Sequence, residues 1–218
     1  MKLKTFIAVV CCTLVASLAN ADTIVYDTFG PGNTYDGDGG YSIGNGSNGP
    51  NSNVAAGFTS NTTGFLSTVV FGVTFIGLPE PMNVVFYTDN AGSPNTANQT
   101  LLGQVTPTTA FGPAQNNSVV TLVVAGNVAL TIGTAYWIGL LPVNPTENEV
   151  WNSSLPATIG PVALGANGSY SDIGITGQPA FRVTARTGNG VPETGSTLVL
   201  LLGAVGMLAA LRSAALRS

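Results

Sequence analysis

The sequence predicts an all-β chain: an antiparallel β-sandwich, jelly-roll-like, flanked by an apolar segment at each end. Three observations carry this. Between the two ends, apolar residues recur in short runs, several of them alternating by two. The runs are separated by loops rich in glycine, proline and asparagine, with 28 Gly and 13 Pro in the chain. No stretch outside the two ends combines a 3.6-residue apolar period with helix caps. The expected boundaries are 1–21 for a leader, 22–187 for the β domain and 188–218 for a C-terminal tag.

Taken in order, Ile24-Val25-Tyr26 opens the domain as a strand, and Asp27 to Asn33 turns out of it. Asp36-Gly37-Asp38-Gly39-Gly40 reads as a glycine-acid loop before Tyr41-Ser42-Ile43, and Gly44 to Asn53 as another loop. Val54 to Phe58 reads as strand. From Phe65 to Ile76 one parity holds Phe65, Val69, Phe71, Val73 and Phe75, with Ser67 the exception, so a single long strand is expected. Asn83 to Thr88 follows as strand, and Asp89-Asn90-Ala91-Gly92-Ser93-Pro94 is the clearest turn. Leu101 to Val105, Val119 to Val124, Ala135 to Leu141, Glu149 to Asn152 and Ala180 to Thr184 complete the strand set. A turn at Gly133-Thr134 should send Tyr136 and Trp137 to opposite faces.

Charge narrows the function. Residues 22–190 hold nine acids against Arg182 and Arg186, a net charge near −7, with no lysine, histidine or cysteine. Nucleic acid is excluded as a partner, because phosphate binding needs clustered cations. The missing residue types also remove Ser-His and Cys-His nucleophile pairs, histidine zinc sites and lysine Schiff bases. No enzyme activity is expected.

The two ends read as export devices. Lys2 and Lys4 precede an apolar run from Phe6 to Leu18, and Ala19-Asn20-Ala21 supplies a small-x-small site for cleavage after Ala21. At the other end come Val191-Pro192-Glu193-Thr194-Gly195-Ser196, an apolar run from Thr197 to Leu211, then Arg212 and Arg217. As a helix that run spans about 22 Å at ~1.5 Å per residue, short of a ~30 Å hydrocarbon core. Snorkelling of Arg212 extends it through Ser213 to Leu216, and the arginine favours leaving that end in the cytoplasm.

Motif, span and basic end in this order resemble the PEP-CTERM sorting signal, in its variants with Gly-Ser-Thr after the motif; Thr194 stands where the commonest motif has a second proline. The resemblance covers 28 of 218 residues. It implies a transient stay in the inner membrane, cutting near the motif by an exosortase-type membrane protease, and release to the cell surface or extracellular matrix of a bacterium. Val191 to Gly195 also resembles the Leu-Pro-x-Thr-Gly signal of sortases, and an uncut membrane anchor is the plainer alternative.

Four further segments, Val25 to Phe29, Phe86 to Pro94, Leu130 to Trp137 and Gly177 to Val183, together resemble the choice-of-anchor R domain. That resemblance implies a β-rich exported domain and no established activity.

The expected role is structural or adhesive, in a matrix whose natural partner is extracellular polysaccharide. A carbohydrate-binding module is the alternative: Glu147, Glu149 and Trp151 alternate on one strand face, so a sugar could stack on Trp151, or on Trp137, beside a carboxylate. Paired carboxylates of glycosidase type are the one catalytic arrangement the composition leaves open. No cofactor is expected. Calcium is the one candidate, at Asp36 and Asp38, where alternating carboxylates precede a glycine; Asp27 or Asp172 would have to complete the set.

Overall fold

Alternation sends successive side chains to opposite faces of each strand, and the strands assemble into antiparallel sheets. The computed structural model describes residues 22–46, 49–112, 119–144, 146 and 148–186. The terminal expectations (Ala19, Ala21, Val191 to Gly195, Arg212 and Arg217) and Glu147 lie outside these residues. No helix among the described residues is long and apolar enough to cross a membrane.

The strands, in chain order, are β1 (Asp22–Asp27), β2 (Tyr35–Gly46), β3 (Gly49–Thr59), β4 (Gly64–Phe71), β5 (Val73–Phe75), β6 (Met82–Asp89) and β7 (Pro94–Val105). They continue with β8 (Val120–Val123), β9 (Ala129–Leu130), β10 (Ala135–Pro142), β11 (Asn148–Ser154), β12 (Ile159–Ala166), β13 (Ser169–Gly177) and β14 (Phe181–Arg186). A 3-10 turn, Pro31–Asn33, follows β1. One sheet runs β1-β14-β4-β8, with β9 also on β4. The other runs β5-β11-β2-β3-β10-β6-β7, and β12 pairs both β3 and β13.

The two sheets share one core. Val69, Phe71, Phe181 and Val183 of the first meet Val54, Phe58, Phe86, Ile138 and Trp151 of the second in one buried cluster. A smaller cluster, Ala55, Val85, Tyr87, Trp137 and Ala163, lies on the opposite parity of β3, β6 and β10. Tyr136 joins the large cluster and Trp137 the small one, as their adjacent positions after the Gly133 turn (φ 76°) require. The domain enters and leaves at one place, because Asp22 pairs with Arg186 across β1 and β14.

The expected single strand from Phe65 to Ile76 is instead two strands in different sheets. The break is Gly72, whose N–H donates to Ala180 O (2.9 Å) and whose carbonyl accepts from Asn152 N–H (2.8 Å). A Cβ there would stand 3.0 Å from the Tyr35 ring and 3.1 Å from Ala180 Cβ, so any side chain at this crossing would have to push those neighbours aside. The parity anomaly at Ser67 is a bulge: Thr184 pairs with Thr68 but Ala185 with Leu66. The extra residue turns Leu66 rather than Phe65 into the core.

Two expected loops are largely strand. Asp36 to Gly40 belongs to β2, whose register shifts opposite Asn152/Ser153, and Gly44 to Asn53 is mostly the ends of β2 and β3. β12 and β13 are strands the sequence pattern did not announce, although Asn167-Gly168 at their junction is strong hairpin chemistry. Both residues have positive φ, 55° and 76°.

Candidate functional site

Two openings on the larger sheet bring together side chains from distant segments. The first is an apolar groove of about 470 Å³. Its floor follows from strand register: Trp137 lies between Gly57 of β3 and Tyr87 of β6. A Cβ on Gly57 would come within 2.7 Å of Pro161 Cγ and 3.3 Å of the indole, so glycine lets these two rings pack over the strand. Ile159 and Ile175, 65% and 73% exposed, form an apolar rim from β12 and β13.

Asp89 is the acidic group of this groove, and both its oxygens are engaged. Oδ1 accepts the Trp137 indole N–H (2.8 Å) and Oδ2 accepts the Gly92 N–H (3.0 Å). The carboxylate thus closes its own turn, where Ala91 (φ 52°) and Gly92 (φ 89°) are left-handed, and orients the indole. Behind the groove, Gln178 is fully buried. Its Nε2 donates to Gly57 O (2.7 Å) and Pro161 O (3.2 Å), while its Oε1 accepts from the Tyr26 hydroxyl (2.5 Å). One amide thereby ties β1, β3 and β12 together.

The second opening is a polar hollow of about 410 Å³, lined by Asn51, Thr96, Gln99, Asn167, Gly168 and Ser169 over Leu141 and Pro142. It contains no ionisable side chain. Its frame is the Asn167-Gly168 turn, held by buried Asn53: Oδ1 accepts Gly168 N–H (3.0 Å) and Nδ2 donates to Ser169 O (3.1 Å).

The sugar-stacking reading is corrected by burial. Trp151 is 0% exposed and Trp137 1%, so neither ring offers a face to a sugar. Trp151 and Glu149 do share a parity, but β11 lies between β2 and β5 rather than at an edge, and Glu149 is itself 1% exposed. The face that Glu149 and Trp151 share is covered by protein rather than by solvent. A carboxylate this deep cannot meet a glycoside.

Asp36 and Asp38 lie on the irregular stretch of β2 opposite Asn152 and Ser153, where Asp36 Oδ1 accepts the Asp38 N–H (3.1 Å). Asp27 is committed elsewhere, to Arg182 at 2.7 Å. Among the described residues no group of three acidic, histidine or cysteine side chains is placed to hold a metal ion. Arg186 donates to Gly126 O (3.0 Å) and Asn127 Oδ1 (3.2 Å).

Burial raises the phenol pKa of Tyr26, Tyr35, Tyr41, Tyr87 and Tyr170 above the ordinary value. For Tyr170 the neighbouring Tyr87 hydroxyl, 3.1 Å away, adds to the rise. A folded-state pKa above the unfolded one gives stability that is intact below about pH 10 and lost as pH rises beyond it. Thermal melts at increasing alkalinity should therefore show a flat melting temperature that falls only above about pH 10, with tyrosinate absorbance appearing as the protein unfolds. Ionisation of these phenols in the folded protein at about pH 10 would contradict their burial.

No protein-family model and no curated protein matches the chain. Among solved structures it is similar to the cysteine protease and lectin-like domains of Cwp84, a surface layer associated protein of Clostridium difficile. That match has 13% identity and a TM-score of 0.42, covering 64% of this chain and 33% of that one. A clostridial Cwp84 after propeptide cleavage matches at 12% identity and TM-score 0.42, covering 67% and 38%. The chain thus spans about a third of the length of these structures, and no activity, ligand or partner transfers from them.

Proposed function

We propose that this chain is an exported bacterial protein of the cell surface or extracellular matrix, structural or adhesive in role. In this reading it is released at its C-terminal tag by an exosortase-type membrane protease after a transient stay in the inner membrane. The observation that carries the reading is the sequence order Val191-Pro192-Glu193, apolar run, Arg212, in a chain that opens with Lys2, Lys4, an apolar run from Phe6 to Leu18 and the small-x-small site Ala19-Asn20-Ala21. We read the two packed sheets as a jelly-roll-like sandwich of the choice-of-anchor kind, followed by a membrane-spanning tail helix.

The absence of histidine, cysteine and lysine from residues 22–190, together with an inaccessible Glu149, favours binding over catalysis. Carbohydrate binding is the second reading, favoured by the uncharged amide-lined hollow rather than by either tryptophan. Fractionation of the native host tests the first reading. The protein should accumulate in the inner membrane of cells lacking the sorting protease and reach the surface fraction when it is present. Equal surface delivery in both would overturn processing by that enzyme.

A further inference from the structure

We infer that the hollow framed by Asn51, Thr96, Gln99 and Asn167 is a binding site for a neutral, hydroxyl-rich glycan. This rests on the adhesive reading above and gives it a location and a ligand class. Four features of the hollow point the same way.

The first is accessible hydrogen-bonding capacity. Asn51, Thr96, Gln99 and Asn167 line the hollow, the last three exposed to solvent, so their amide and hydroxyl groups are open to a ligand. Amides and hydroxyls each offer donor and acceptor together, the pairing that vicinal sugar hydroxyls require.

The second is that the frame is built before any ligand arrives. Asn51 and Asn167 both hold left-handed backbone (φ 57° and 55°), and Asn167 N–H donates to Asn51 O at 3.1 Å. Left-handed non-glycine residues cost conformational energy and persist where their surroundings fix them. Here buried Asn53 does so, bonding both Gly168 and Ser169 from beneath. Such support from behind keeps a polar site in register for its ligand.

The third lies in β7. Tyr87 pairs with Gln99 but Asp89 with Pro94, so Asn95 to Asn98 bulge out of the ladder. Bulges re-aim side chains, and this one brings Thr96 as well as Gln99 to the hollow's wall.

The fourth is the choice of ligand. With no charged lining group on a strongly acidic domain, an anionic sugar or phosphate has no counter-charge here. Leu141 and Pro142 supply an apolar patch for the C–H face of a pyranose.

The test uses the full chain in neutral detergent with a panel of neutral gluco-, galacto- and manno-oligosaccharides and their uronic-acid counterparts, read by saturation-transfer NMR and titration. At least one neutral oligosaccharide should bind, and Gln99→Ala combined with Asn167→Gly should weaken it about tenfold or more at unchanged melting temperature. Glycine at 167 keeps the positive φ, so the turn survives while the amide is removed. Ile159→Ala, on the rim of the separate groove, should leave affinity unchanged. No binding to any neutral member, preference for the uronic acids, or binding insensitive to the double variant would each overturn the assignment. None of these results would touch the processing of the C-terminal tag, which is read by protein location instead.

Discussion

Replacing Trp151 by alanine is expected to cost about 3–5 kcal/mol of unfolding free energy and to lower the melting temperature by on the order of 10 °C. The ring is fully buried, edge-to-face with Phe71 (centroids 5.5 Å, 66°) and Phe181 (5.7 Å, 71°), one from each of two paired strands of the opposite sheet. Its indole N–H donates to Ala180 O at 3.0 Å. Alanine leaves a cavity between the sheets and takes one of two donors from Ala180 O, which keeps the Gly72 N–H, so the transfer and cavity losses dominate. Trp151→Phe should keep most of the packing and lose about 1 kcal/mol or slightly more for the missing donor. A sugar platform would behave in the opposite way: glycan retention would vanish while stability hardly changed. Chemical denaturation of both variants beside a glycan titration separates the two cases.

The second large effect belongs to Gln178. Leucine there should destabilise the domain by about 3 kcal/mol, because Gly57 O, Pro161 O and the Tyr26 hydroxyl all lose their partner in a site closed to water. Gln178→Glu adds a pH signature. A buried carboxyl facing two carbonyl oxygens has its folded-state pKa raised above the unfolded value near 4.3. Its contribution is therefore intact below that pH and lost as pH rises through the folded pKa. Urea melts of the glutamate variant should approach wild-type stability in acid and diverge progressively towards neutrality; a pH-independent deficit would mean that position 178 is solvated.

Strand content was legible wherever apolar residues alternate with polar ones or a turn has distinctive chemistry. The run Asn83 to Thr88, the Asp89 to Pro94 turn and the split of Tyr136 from Trp137 all follow from such local signals. β12 is not legible because Gly160, Pro161, Ala163, Gly165 and Ala166 give little hydrophobic contrast and its pairing with β3 is long-range; β13 pairs with β12 alone. The crossing at Gly72 was hidden for a related reason: nothing in Phe71-Gly72-Val73 says that Tyr35, Asn152 and Ala180 will meet it. Burial of Trp151 escaped because alternation fixes which residues share a face, not whether that face meets solvent or a second sheet. The polar hollow was the least legible part. Its residues come from four separate segments, brought together only by strand register and by the bulge in β7.

In the proposed maturation the chain is cut at both ends for display. Its most direct test is intact mass with N- and C-terminal sequencing of the protein recovered from its native host, beside the same protein from cells without the sorting protease. The prediction is a form beginning at Asp22 and ending near Val191 to Gly195 in the first case, and one retaining Arg212 in the second. A protein that still runs to Ser218 in both would contradict the claim.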